Sequence, residues 1–214
     1  MKILKAIVIL LLATATFGGC KKEQETQFNI HKPQGYAIIA NFDPNGRSPV
    51  VFVFPDDQKS GMKMYQLRGE IAGVYTVNGN ENELTFASQD ATFKFKIAAG
   101  KIISSDQVFT KAELIRVPTE DQLAGKTFTG AYYNSQNGAM RYPKFFYAFY
   151  PIGNKVNVGI EVGTNLRTET YTPIGNVAAF MKGNGITEFI VKMPDGSIMC
   201  NYRDGQGSSY GLFK

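Results

Sequence analysis

Two cysteines, one histidine and 18 carboxylates are the chain's stock of nucleophilic and acid–base side chains. His31 precedes the first clear apolar segment. A Ser-His-Asp or Cys-His site needs its base oriented inside a pocket by a third group, so His31 is expected at the surface instead. Cys200 lies in Ser197-Ile198-Met199-Cys200-Asn201-Tyr202, a strand-like run with no second cysteine or histidine near it. Nothing there would favour the thiolate, and the residue is expected to pack as a small hydrophobe. No Cys/His cluster has zinc spacing, and no glycine-rich phosphate loop stands between a strand and a helix. Asp56-Asp57 follow Pro55 in a turn, where neighbouring carboxylates are solvated rather than set up for glycoside hydrolysis. Asp43-Pro44-Asn45-Gly46 lacks the alternating oxygens and closing glutamate of a calcium loop and reads as a hairpin turn. The expectation is a chain without catalytic residues, metal site or cofactor.

Cys20 has surroundings that give its thiol a reaction. Lys2 and Lys5 precede an apolar run from Ala6 to Ala15, which leads through Phe17-Gly18-Gly19 to the cysteine. A charged start, about ten apolar residues and small residues at the end have the form of a secretory signal peptide. The run falls short of the roughly 20 apolar residues that span a bilayer. Ending on a cysteine, it resembles the lipobox of bacterial lipoproteins. That resemblance implies a signal peptide over 1–19, cleavage before Cys20 and lipidation of the Cys20 thiol. Lys21, Glu23 and Glu25 are similar to residues that follow the cysteine in some Gram-negative lipoproteins of the outer membrane or cell surface. The implied address is the cell envelope, with the membrane as partner through the lipid. Residues 20–34 are polar at their start and are expected to form a flexible tether.

Beyond the tether the densest constellation is aromatic. Tyr142-Pro143-Lys144-Phe145-Phe146-Tyr147-Ala148-Phe149-Tyr150 carries bulky groups on both faces of a strand. Alternation puts Phe145, Tyr147 and Phe149 on one side and Phe146, Ala148 and Tyr150 on the other. Val50-Val51-Phe52-Val53-Phe54 is likewise apolar on both faces. Such a strand has a core on one side and a second partner on the other: a sister repeat, a ligand or another protein. Tyrosines give an apolar wall a polar handle, so Tyr147, Phe149 and Tyr150 are the candidate ligand-binding residues.

The elements that must position these groups are strands. From Tyr36 onward Val, Ile, Phe, Tyr and Thr recur between turn signals such as Asn78-Gly79-Asn80, Ala99-Gly100, Gly183-Asn184-Gly185 and Asp195-Gly196. No apolar stripe holds helical spacing for three turns. The chain also repeats at one constant spacing: Tyr36 falls on Tyr132, Pro55 on Pro151, Tyr75-Thr76 on Tyr171-Thr172, and Phe93 on Phe189. The expected fold is all-β, with two tandem antiparallel β-meander repeats over 35–118 and 119–214, each a sandwich or small barrel; the alternative is one larger structure enclosed by the two together. A closed barrel of that size is filled by its own side chains. Thr119-x-x-Gln122 between the repeats could cap one short helical turn.

The second repeat, from Leu123-Ala124-Gly125-Lys126-Thr127-Phe128 to Tyr210-Gly211-Leu212-Phe213-Lys214, resembles lipocalin-like or avidin-like meanders, which implies the fold class and a tendency to bind. The formal charge of +5 is spread without a Lys/Arg stripe, so no nucleic-acid partner is expected. The reading is a lipid-anchored extracytoplasmic binding protein, either a lipocalin-like carrier of a small apolar ligand or a structural, partner-binding lipoprotein of an envelope assembly. Cys20→Ser should abolish incorporation of labelled palmitate in intact cells. Label retained by the variant would mean that another residue is the acceptor.

Overall fold

A computed structural model describes residues 28–42, 47–57, 60–164 and 166–214; the signal segment, Cys20 and the Asp43–Gly46 turn lie outside them. The first half of the chain forms β1 (Tyr36–Phe42), β2 (Pro49–Val53), β3 (Gly61–Gln66), β4 (Gly69–Asn78), β5 (Glu83–Ala87), β6 (Thr92–Ala98), β7 (Lys101–Ser105) and β8 (Phe109–Arg116). The second forms β9 (Thr127–Asn134), β10 (Met140–Phe149), β11 (Lys155–Gly159), β12 (Arg167–Thr170), β13 (Thr172–Ile174), β14 (Ala178–Gly183), β15 (Ile186–Lys192), β16 (Ile198–Asp204) and β17 (Gly207–Phe213).

Each half is an antiparallel meander that curls until its last strand pairs with its first, β8 with β1 and β17 with β9. The result is two nearly closed barrels. The remaining seam lies between β7 and β8 in the first and between β12 and β13 in the second, where the chain itself crosses at Tyr171. Local chemistry sets the hairpins. Ala99-Gly100 and Asn184-Gly185 each place two successive residues at positive φ (48° and 71°, 52° and 74°). That is the type I′ geometry whose twist matches the flanking strands.

Alternation then fills the interiors. In β6 the exposed Thr92, Lys94 and Lys96 alternate with buried Phe93, Phe95 and Ile97. Inside the first barrel the Phe52 ring meets Phe86, Phe95 and Phe109 with centroids 5.5, 5.2 and 6.0 Å apart. Its buried core cluster carries no charged side chain and one hydroxyl, that of Tyr75. The opposite faces of β1 and β2 present Ala37, Ile39 and Val51 to Ala178, Phe189 and Val191 of the second barrel, forming one buried apolar layer between the two. This explains why Val50–Phe54 is apolar on both faces.

The aromatic strand β10 solves the same problem differently. Its outward Phe146 is 4 % exposed yet stands outside the inter-barrel layer. The chain after Gly159 folds back beside it; a Cβ at Gly159 would collide with the Thr164 carbonyl and the Phe146 ring.

The sequence repeat follows the strand order except that β4 of the first barrel corresponds to both β12 and β13 of the second, and it does not hold face for face. Tyr75 and Tyr171 both point into their barrels, whereas Phe93 is interior and Phe189 belongs to the layer between barrels. A one-residue difference in register sends a strand's side chains to the opposite face.

The segment ahead of each barrel packs onto it. Phe28 and Ile30 pack against the first core, so this part of the expected 20–34 tether does not hang free. Leu123 is fully buried in the second core. No helical turn forms at Thr119–Gln122; the Asp121 carboxylate instead accepts the Leu123 N–H at 2.8 Å in an Asx-type turn. Phe189→Ala should cost about 3–5 kcal/mol in urea denaturation, because both packed surfaces lose a large buried ring. Ile103→Ala, at a side chain 67 % exposed, should stay within about 0.5 kcal/mol of the parent.

Candidate ligand site

The β14–β15 hairpin starts β15 at Ile186, and alternation aims Glu188 and Ile190 inward while Phe189 and Val191 face the first barrel. A carboxylate thus enters a barrel interior, and Glu188 is 0 % exposed. Burying an ionisable group is costly unless it is paired and hydrogen-bonded, and the surrounding strands supply both.

Arg167 on β12 makes an ion pair with Glu188 through Nη2, and its Nη1 lies 3.5 Å from Glu169. From β10, Tyr147 Oη donates to Glu188 Oε2 at 3.2 Å. Tyr132 on β9 is hydrogen-bonded to Tyr147, so with Tyr147 donating to the carboxylate, Tyr132 donates in turn. Cys200 on β16 lies beside them, fully buried.

Burial is the largest influence on every titrating member. It pushes Glu188 up to about 7, against the pull of Arg167 and the Tyr147 hydrogen bond. It also holds the Tyr132 and Tyr147 phenols and the Cys200 thiol well above their ordinary values. The thiol therefore stays protonated and is no nucleophile.

A second polar group stands nearer solvent at the same end. Arg141 Nη2 pairs with Asp204 at 2.7 Å and bonds Gln206 at 2.9 Å, while Nη1 reaches Ser209 at 3.2 Å. Tyr202 Oη donates to Asp204 at 3.0 Å. The Arg141 guanidinium lies 5.3 Å from the Tyr142 ring centroid and 5.5 Å from that of Tyr202, within cation–π range. The starts of β10, β12, β15 and β17 converge here with the end of β16, forming the mouth of the second barrel. A cavity of about 140 Å³ opens there, walled by Tyr132, Tyr142, Phe145, Arg167 and Tyr202. Its lip is Ile160 and Leu166, 47 % and 61 % exposed. The opposite end is filled by Leu123, Phe128, Phe149 and Tyr171, with the Tyr171 hydroxyl bonded to Asp121 at 2.7 Å.

The three residues singled out from sequence separate. Tyr147 belongs to the buried hydrogen-bond chain, and Phe149 packs at the filled end, its ring 5.3 Å from that of Tyr171. Tyr150 follows the end of β10 and is 40 % exposed. They do not form one wall. Glu188, Arg167, Arg141 and Asp204, which the sequence reading missed, give the mouth its polarity. The available signal was a lone charge in the apolar run Ile186-Thr187-Glu188-Phe189-Ile190-Val191.

His31 is exposed, as are Asp56 and Asp57. Among the described residues no group of three or more His, Cys, Asp or Glu is placed to hold a metal.

The raised pKa has a sign. Between about 4.5 and about 7 the folded chain holds a proton on Glu188 that the unfolded chain has lost, so this residue's contribution to stability falls as pH rises through that window. Above it the contribution is flat. Glu188→Gln keeps the shape and cannot ionise. Urea denaturation should show the variant gaining on the parent from pH 5 to pH 7; a constant difference would mean that Glu188 ionises normally in the folded chain.

No family model, curated protein or solved structure matches this chain.

Proposed function

We propose that the chain is a lipid-anchored extracytoplasmic binding protein without catalytic activity, and that its ligand enters the mouth of the second barrel. One observation carries this reading. The buried polar residues of the first barrel, Asn41 and Glu83, alternate away from its core cluster, in which Tyr75 is the one hydroxyl-bearing side chain, whereas the second barrel keeps a connected set of buried polar groups, a carboxylate among them, beneath an open cavity. Apolar replacement of a buried ion pair is often neutral or stabilising, so folding alone does not demand these groups.

Size narrows the ligand. The cavity of about 140 Å³ is close to the ~150 Å³ of an engineered apolar cavity that accepts benzene. It is well below the roughly 300–1,000 Å³ of drug-sized sites. Both barrel cores are packed with side chains, so a long apolar chain finds no room within them. The ligand is a single-ring molecule, or one such group of a larger molecule, with polar atoms to meet Arg167 and the tyrosines.

A second reading is favoured by a different surface. An open groove of about 650 Å³ on the outer wall is lined by Pro143, Phe146, Ile160 and Val162, and Val162 is 64 % exposed. A partner protein of the envelope would cover these groups.

Ligand-observed NMR with a panel of single-ring compounds separates the two readings. Binding that disappears in Tyr142→Ala supports the mouth as the site. An absence of binders, together with a stoichiometric crosslinked partner in cells that Val162→Asp abolishes, supports the groove.

A further inference from the structure

Resting on the mouth as the ligand site, we propose that it takes a small aromatic carboxylate of about benzoate size. The ligand's carboxylate lies against Arg167, its ring lies among Tyr142, Phe145 and Tyr202, and its charge takes the place of that of Glu188.

Arg167 is the cationic side chain lining this cavity. A guanidinium has five N–H groups in a planar fork suited to carboxylates. Its described carboxylate partners use Nη2 for Glu188 and Nη1 for Glu169, the latter at 3.5 Å, longer than a good hydrogen bond. Donor capacity therefore remains beside the aromatic-walled cavity. The walls suit a planar ring, since offset and edge-on aromatic contacts add to area burial.

The same walls disfavour a cation. Arg141 already lies over the Tyr142 and Tyr202 rings, and Arg167 lies 5.9 Å from the Tyr202 centroid. An incoming ammonium would meet two like charges on the faces it needs.

Charge balance makes the exchange specific. Arg167 with Glu188 and Glu169 ionised carries one net negative charge. If Glu188 takes a proton from solvent as the ligand anion enters, that net charge is unchanged, and the proton sits on the carboxyl that burial has already brought close to neutral titration. The groups facing Glu188 are Arg167 and Glu169 from β12, Tyr147 from β10, Tyr132 from β9, and Cys200 and Tyr202 from β16. The phenols and the thiol are held protonated by burial, and Arg167 stays charged. Tyr147, bonded to Glu188 in either state, can donate to the carboxylate or accept from the acid.

Isothermal titration of the full chain with benzoate, benzyl alcohol and benzylammonium, at pH 6, 7 and 8 and in two buffers of different ionisation heat, tests this. Benzoate should bind most tightly. Its affinity should fall by roughly fivefold between pH 7 and pH 8, with nearly one proton taken up per benzoate at the upper pH. Glu188→Gln should still bind benzoate, now without pH dependence or proton uptake. If none of the three probes binds, the mouth is not the ligand site and the proposed function fails. If benzyl alcohol or benzylammonium binds as tightly as benzoate, the mouth stands and the carboxylate class is overturned. Benzoate binding that is pH-independent in the parent overturns the exchange with Glu188.

Discussion

Closing an antiparallel sheet of about eight strands leaves an interior only as wide as the side chains that fill it. The rest of this molecule follows from that geometry. Every second residue of each strand is committed to the interior, so the herringbone of Phe52, Phe86, Phe93, Phe95 and Phe109 is what the first barrel's volume requires. Residues facing outward are free to do something else. On β1, β2 and β15 they glue the two barrels together through Ala37, Ile39, Val51, Phe189 and Val191. Where strands are paired, a filled barrel gives access to its interior at its ends. In the second barrel one end holds Leu123 and its aromatic neighbours, which leaves chemistry a single address at the other.

The two barrels act as controls for one another. Both are nearly closed antiparallel meanders, yet one has a core cluster without a charged side chain and the other buries Glu188, Arg167, Tyr147 and Tyr132 in a connected array. Such an array is unforgiving: removing one member of a buried ion pair costs about 3–5 kcal/mol, because the other charge is stranded. Its members also come from four different strands, β9, β10, β12 and β15, so it is assembled only when the barrel is closed. Placing Glu188 at full burial while Arg141 and Asp204 sit nearer solvent grades the mouth from hydrated to dry.

Much of the fold was legible because it rests on local chemistry. The turn at Asn184-Gly185 needs two residues tolerant of positive φ, and the alternation of Thr92–Ile97 can be read directly as a strand with one wet face. The repeat pointed to two similar meanders for the same reason: turn residues and strand aromatics answer to backbone geometry. Face assignment was less accessible. Phe93 and Phe189 align in sequence and lie on opposite sides of their sheets: Tyr75 lies within the continuous β4, whereas the aligned Tyr171 sits in the break between β12 and β13, and a one-residue change of register inverts a strand without any change of length. The site was the least legible part. Arg167 sits in Arg-Thr-Glu-Thr, a run polar enough to read as loop, and Glu188 lies 21 residues further on. Only closure of the sheet, which depends on strand order and tilt, brings them together. The aromatic richness of Tyr142–Tyr150 points to the second barrel, and alternation separates Tyr150 from Tyr147 and Phe149, but it does not show that Tyr147 enters the hydrogen-bond chain while Phe149 packs at the filled end.

Everything distinctive about the second barrel depends on Glu188 lying buried against Arg167. Carbon-13 NMR of the labelled Glu188 side-chain carboxyl, followed from pH 3 to pH 9 in the folded chain, measures that state directly. Titration near pH 7 is the expected result. A carboxyl that titrates at or below its ordinary value of 4.5 would contradict it, and would mean that the pull of Arg167 and Tyr147, or of solvent, outweighs burial at this site.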